Sequence, residues 1–141
     1  MRQHPSASRL RTDARYGSQG LTPQVLLGVH PFFSMLVPGD VSTLLARAHC
    51  RDIAANLTIF RKDDPGDGLY GVLAGQVAFT IDSRSGKELT LNVLGPGEFF
   101  GEIALLDGGG RSATARARSA CRLLFIPRRE FLSFFADRPE A

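Results

Sequence analysis

The sequence predicts a mainly β fold (α+β), an eight-stranded jelly-roll β-barrel flanked by N-terminal helices and a C-terminal helix. Three observations carry this. Short stretches of period-two alternation recur between about residues 57 and 126, each bounded by glycine, proline or serine. Regularly spaced short strands with turn signals between them mark a sandwich or barrel. Gly is abundant, at 15 residues, which suits many turns. Helical patterns are confined to the two ends. At 141 residues the chain suits one domain with a core of its own. Residues 21–141 are assigned to that domain, and residues 1–20 to a disordered basic tail with few apolar side chains.

Thr22-Pro23 reads as a helix start, a capping hydroxyl followed by proline at the first helical position. Gly28 and His30-Pro31 keep that helix short. Asp40 is expected to cap a second helix, in which Val41, Leu44, Leu45 and Ala48 form one apolar face. Leu57, Ile59 and Arg61 then alternate with Thr58 and Phe60. Tyr70 and Val72 share one phase, and Val77, Phe79 and Ile81 share the other. The slip places a tight turn or bulge at Ala74-Gly75. Ser83-Arg84-Ser85-Gly86 reads as a hairpin loop, with Leu89, Leu91 and Val93 answering on the return strand. Gly95-Pro96-Gly97 ends that strand. Residues 112–119 and 121–126 are two further strands, and Phe131, Phe134 and Phe135 give the closing helix its apolar face.

Composition excludes several classes of function. The formal net charge is +3, and Arg2, Arg9, Arg11 and Arg15 against Asp13 already account for it. The remaining residues carry 13 basic and 13 acidic side chains, so the folded part has no basic excess to attract nucleic acid. Arg116 and Arg118 alternate with Ala115 and Ala117 and read as the solvated face of a strand. No apolar run approaches the ~20 residues of a membrane span, and residues 1–20 lack the apolar middle of a signal peptide. Cys50 and Cys121 are too few for a disulfide framework or a metal cluster, so reduced thiols and a cytoplasmic setting are expected. A metalloenzyme on such a barrel needs clustered histidines, whereas His4, His30 and His49 all precede the strand pattern. Gly95-x-Gly97 with Gly101 misses the dinucleotide fingerprint spacing. No nucleophile–base pairing stands out. Catalysis, a metal and a cofactor are therefore not expected.

One segment concentrates groups suited to a small anion: Phe100-Gly101-Glu102-Ile103-Ala104-Leu105-Leu106, then Arg111-Ser112-Ala113-Thr114. Read as a short helix, residues 101–106 would offer free backbone N–H groups and a positive dipole end. Gly101 allows close approach to the backbone. Arg111 supplies a planar fork for phosphate oxygens, and Asp107-Gly108-Gly109-Gly110 lets it fold back. Glu102 would repel a phosphate alone. It fits a ligand that also carries a hydroxyl donor, as a ribose 2′-OH does. The residues thus point to a ribose phosphate, with a Glu102–Arg111 surface ion pair as the plainer alternative.

The stretch from Phe100 to Thr114 closely resembles the phosphate-binding cassette of cyclic nucleotide-binding domains. The resemblance takes in Ile59–Tyr70, Leu73-Ala74-Gly75-Gln76-Val77, Leu94–Phe100 and His30-Pro31-Phe32-Phe33, so it covers about residues 25–137. It implies that Glu102 accepts from the ribose 2′-OH, with Gly101 on the ribose side. Arg111 then pairs with the exocyclic phosphate oxygens, and backbone N–H groups about Ile103, Ala104 and Ala113, with the Ser112 hydroxyl, complete the cradle. Val93 and Leu94 are the apolar wall expected against the base. The ligand implied is a 3′,5′-cyclic nucleotide, cAMP ahead of cGMP, and the role is that of a regulatory sensor signalling through its C-terminal helix.

Some residues depart from the family pattern. Asp63 and Asn56 stand where glycine is usual, in turns that often need positive φ. Gly71 replaces a β-branched residue and is expected to weaken local packing. Family members carry a further helix that closes over the base. The sequence given ends at Ala141, so that lid is expected to be absent or to lie beyond it. Two alternatives stand beside the sensor reading: a degenerate jelly-roll module kept for protein contacts without nucleotide, and the truncated sensor half of a transcription regulator. Effector and oligomeric state are not legible in these residues.

Overall fold

The computed structural model describes residues 20–30, 33–101 and 110–136. Helix α1 is Pro23–Val29, followed by a 3-10 turn at Phe33–Met35 and helix α2 at Pro38–Ala46. The strands are β1 His49–Ile53, β2 Thr58–Phe60, β3 Gly68–Ala74, β4 Val77–Asp82, β5 Glu88–Leu94, β6 Phe99–Phe100, β7 Thr114–Ala117 and β8 Cys121–Pro127. Helix α3, Arg128–Ala136, closes the described part. The strands form two four-stranded sheets with orders β1-β8-β3-β6 and β2-β7-β4-β5, every pairing antiparallel. This is the jelly-roll barrel with flanking helices that the sequence predicts. The tail expected over residues 1–20 lies outside the described residues except for Gly20, which is buried.

Local signals explain the elements. The Thr22 hydroxyl accepts from Val25 N–H at 3.1 Å and Pro23 opens α1, as expected. The cap of α2 is a correction: Val37 precedes Pro38 at the first position, and Asp40 sits inside the first turn. Proline's fixed φ starts the helix two residues before that carboxylate. Gly75 turns between β3 and β4 at φ +85, and Gly86 closes the β4–β5 hairpin at φ +84.

The core has two parts separated by the β1-β8-β3-β6 sheet. Strands β3 and β8 are buried on both faces, because alternate residues serve different cores. Leu69, Leu73, Leu124 and Ile126 pack with Leu26, Leu27, Phe33, Leu44, Phe131 and Phe134 of the helices. Tyr70, Val72, Leu123 and Phe125 fill the barrel with Phe60, Val77, Phe100, Ala115 and Ala117. Gly71 corrects an expectation: a Cβ there would lie 2.6 Å from Leu26 and 3.0 Å from the Phe99 ring. The missing side chain leaves no weak spot, since α1 is seated in its place. Both thiols are raised above their ordinary pKa, first by burial, so Cys50 and Cys121 stay protonated.

A forked ion pair ties β1 to β8. Arg122 is 3% exposed, and its Nε and Nη2 donate to the two carboxylate oxygens of Asp52 at 2.7 and 3.0 Å. Asp52→Ala would leave that buried guanidinium without its carboxylate. It is expected to cost about 3 kcal/mol of unfolding free energy, the low end for a broken buried pair. The low end applies because the Asp52 side chain keeps 27% of its exposure. Urea unfolding of the variant checks this, and an unchanged midpoint would contradict it.

Candidate functional site

Residues 110–113 are set in place by the loop joining β2 to β3. Asp63 N–H donates to the Arg111 carbonyl at 2.7 Å, and Arg111 N–H donates to the Asp64 carbonyl at 2.8 Å. Pro65 bridges to Gly110, where a Cβ would stand 3.0 Å from the Asp63 carbonyl oxygen. The loop reaches this position by turning at Asp63 with φ +75. Asn56 likewise adopts φ +72, and its N–H donates to the Ala117 carbonyl at 2.6 Å. Both residues hold the left-handed conformation expected at those positions, which Asn and Asp tolerate better than most side chains.

Arg111 is 3% exposed, the deepest cation of this region. Its Nη2 donates to Asp67 Oδ1 at 2.6 Å and to the Gly68 carbonyl at 2.9 Å. Its Nη1 reaches the Gly101 carbonyl at 3.3 Å. The guanidinium carbon lies 4.2 Å from the Phe60 ring centroid, within cation–π range. Asp67 keeps 51% of its side chain in solvent, so the pair is only half buried. Five donors are available to an arginine. Among the described residues the buried Nε–H has no partner, and one Nη1 proton remains beyond the bond to Gly101. The arginine is thus anchored through both terminal nitrogens and keeps donors in reserve at Nε and Nη1.

A cleft of about 300 Å³ opens over it, lined by Phe60, Phe79, Asn92, Leu94, Phe99 and Phe100, with Gly101, Gly110, Arg111, Ser112 and Ala113. Its size is at the lower end for small-molecule sites, and its wall is mostly apolar, with four phenylalanines and few polar side chains. Of the residues singled out from sequence, the structure brings together Gly101, Arg111, Ser112, Ala113 and Leu94. Glu102, Ile103 and Ala104 lie outside the described residues.

Val93 does not line the cleft; Asn92 does. The reason is a bulge. Phe79 pairs with Asn92 but Thr80 pairs with Thr90, so Leu91 is an extra residue in β5. The alternation read through Leu89, Leu91 and Val93 breaks there. Leu91 is left 58% exposed, and Val93 pairs with Ala78 on the opposite face from Phe79 and Leu94. Asp67, Phe60, Phe79 and Asn92 are site residues that the sequence motif does not reveal. Phe60 and Phe79 are visible in the sequence only as strand residues, and nothing near Asp67 marks it as the partner of Arg111. Among the described residues, no group of three or more His, Cys, Asp or Glu could hold a metal ion, and no helix is long and apolar enough to cross a membrane.

Comparison with known proteins identifies the family. The family model described as cyclic nucleotide-binding domain matches residues 50–138. The cyclic AMP receptor protein of Thermus thermophilus is 38% identical over 109 residues, which is 77% of this chain and 50% of that protein. A CRP-like cAMP-activated global transcriptional regulator of Mycobacterium tuberculosis is 31% identical over 108 residues, again 77% of this chain and 48% of the relative. This chain therefore spans about half the length of the curated relatives it matches. Among solved structures, the N-terminal domain of a transcriptional regulator from Streptomyces coelicolor superposes with a TM-score of 0.76 at 35% identity, covering 82% of this chain and 80% of that one. The regulatory domain of Toxoplasma gondii PKA, solved with cAMP, gives 0.74 at 31% identity and covers 79% of this chain and 42% of that one. The chain belongs to the cyclic nucleotide-binding domain family.

Proposed function

We propose that this domain binds a 3′,5′-cyclic nucleotide, cAMP in preference to cGMP, without transforming it, and passes occupancy through α3 to an effector. The observation that carries the reading is the buried Arg111 guanidinium, anchored through its terminal nitrogens beside Gly101 and keeping donors in reserve at a small, mostly apolar cleft. A buried cation with spare N–H groups suits a phosphate diester, which brings one negative charge and exocyclic oxygens. Ser112 supplies a hydroxyl, and the backbone about Ile103, Ala104 and Ala113 the remaining donors. Glu102, next to Gly101 in sequence, takes the ribose 2′-OH. Leu94, with Phe79 and Asn92 beside it, replaces the Val93–Leu94 pair as the wall for the base. The preference for cAMP is supported by the Thermus receptor's name and by the Toxoplasma domain solved with cAMP.

A route to α3 is contiguous. Gly68, whose carbonyl holds Arg111, is followed by Leu69, which packs in one cluster with Phe131 and Phe134 of α3. A phosphate that draws on the arginine alters the restraint at the start of β3 and biases how α3 packs, as in a two-state switch. The domain is a ligand sensor and makes no nucleic-acid contact of its own. Calorimetry with cAMP and cGMP tests the reading. Heat of binding with cAMP tighter than cGMP is expected; no heat with either nucleotide would favour the degenerate module instead. Unchanged hydrogen exchange in α3 at saturating cAMP would remove the proposed output.

A further inference from the structure

Tyr70 places a polar hydroxyl in the barrel core without lining the cleft. Tyr70 is 1% exposed, its ring stacked on Phe100 with centroids 5.0 Å apart and planes 4° from parallel. Its hydroxyl meets Arg51 Nη1 at 3.2 Å on one side and Asp67 Oδ2 at 3.4 Å on the other. The other Asp67 oxygen, Oδ1, holds Arg111. Four side chains from four segments therefore form one line: Arg51 of β1, Tyr70 of β3, Asp67 of the β2–β3 loop, and Arg111 before β7.

The polarity of this line is fixed by chemistry. A guanidinium can only donate and a carboxylate can only accept. The phenol oxygen must accept from Arg51, which leaves its single proton for Asp67. Burial, and next the Asp67 charge, push the phenol up to about 12, so that proton stays in place at any physiological pH. Arg51 is itself steadied, its guanidinium carbon 3.8 Å from the centroid of Phe125. Asp67 needs such steadying, because its carboxylate is half in solvent. One oxygen bonded to the phenol restrains the rotation that would carry the other away from Arg111.

We infer that Tyr70, and through it Arg51, are positioning residues for the anion-holding Arg111. The inference rests on the nucleotide-sensor reading and assigns it two residues that lie outside the cleft. Tyr70→Phe removes one hydroxyl and keeps the ring in its stack. It is expected to weaken cAMP binding by roughly 2- to 10-fold, the worth of one net hydrogen bond. In an Asp67→Ala background the same change is expected to weaken binding no further, because the phenol acts only through that carboxylate. Arg51→Ala is expected to weaken binding similarly, and Arg51→Lys, which restores a donor, to recover part of it.

A second measurement needs no nucleotide. The ¹⁵N signal of the Arg111 Nε–H, assigned by its loss in Arg111→Ala, is expected to shift in Tyr70→Phe. Unchanged cAMP affinity in Tyr70→Phe, or an equal loss with and without Asp67, overturns the positioning role. If the parent chain binds no cyclic nucleotide but the Arg111 signal still moves, the sensor reading falls and the positioning of Arg111 stands. If that signal does not move, the positioning role falls whatever the nucleotide does.

Discussion

Arg111→Ala is expected to lower affinity for cAMP by about 2–5 kcal/mol, the range for truncating one partner of a buried charge pair, which is roughly 30-fold to several-thousand-fold. The size of the effect follows from where this cation sits. At 3% exposure it has already given up its hydration on folding, and Asp67, Gly68 and Gly101 replace only part of it. A phosphate that takes the remaining donors meets a guanidinium whose desolvation and orientation were completed with the fold. Arg111→Lys should recover only part of the loss. An ammonium keeps the charge but has no planar fork and no face to lay on Phe60. The fold itself should survive, because Asp67 keeps half its side chain in solvent and is not stranded when its partner goes. Calorimetry measures the affinities, and urea unfolding confirms that the variant is folded. Affinity equal to that of the parent would remove Arg111 from the phosphate site.

The sequence disclosed those parts of the fold that local chemistry decides. Thr22-Pro23 starts a helix whatever surrounds it, and Gly86 turns a hairpin because few other residues accept φ +84. The parts that escaped are set by tertiary partners. Strand β1, His49–Ile53, carries mostly polar residues and shows no alternation. It is a strand because β8 offers a complete register from His49↔Phe125 to Ile53↔Cys121, with Asp52 opposite Arg122. The bulge at Leu91 has no local mark either, yet it decides that Asn92 and not Val93 faces the cleft. The site divides in the same way. Gly101, Arg111 and Ser112 are legible because close approach and charge are properties of residue type. Asp67 is separated from Arg111 by more than forty positions in sequence, and only the folded barrel shows that the two carry one interaction.

Gly101→Ala and Gly97→Ala are expected to part company in binding while costing similar backbone strain. Both glycines have positive φ, +96 at Gly101 and +95 at Gly97. An alanine at either position is strained by about 1–2 kcal/mol, partly offset by a stiffer unfolded chain. Their surroundings differ. At Gly97 an added methyl would find its nearest neighbours, Val29 and Leu21, at 3.9 and 4.0 Å, which is ordinary contact. At Gly101 it would collide with Arg111 Nη1 and stand 3.0 Å from the Gly68 carbonyl oxygen, the acceptor that holds the same guanidinium. The collision can be relieved only by moving the arginine or the start of β3, and either displaces the charge from the position the fold gives it. Gly97→Ala should therefore lose stability with cAMP affinity within about 2-fold of the parent, since an independent site adds without coupling. Gly101→Ala should lose more stability than Gly97→Ala, because the collision adds to the same backbone strain, and at least about 10-fold in affinity, one donor's worth of a charge-assisted contact. Urea unfolding and calorimetry on the two variants separate the effects. Equal affinities in the pair would mean that Arg111 can yield to the methyl at no cost, and that the place of Gly101 in the site is a matter of backbone conformation alone.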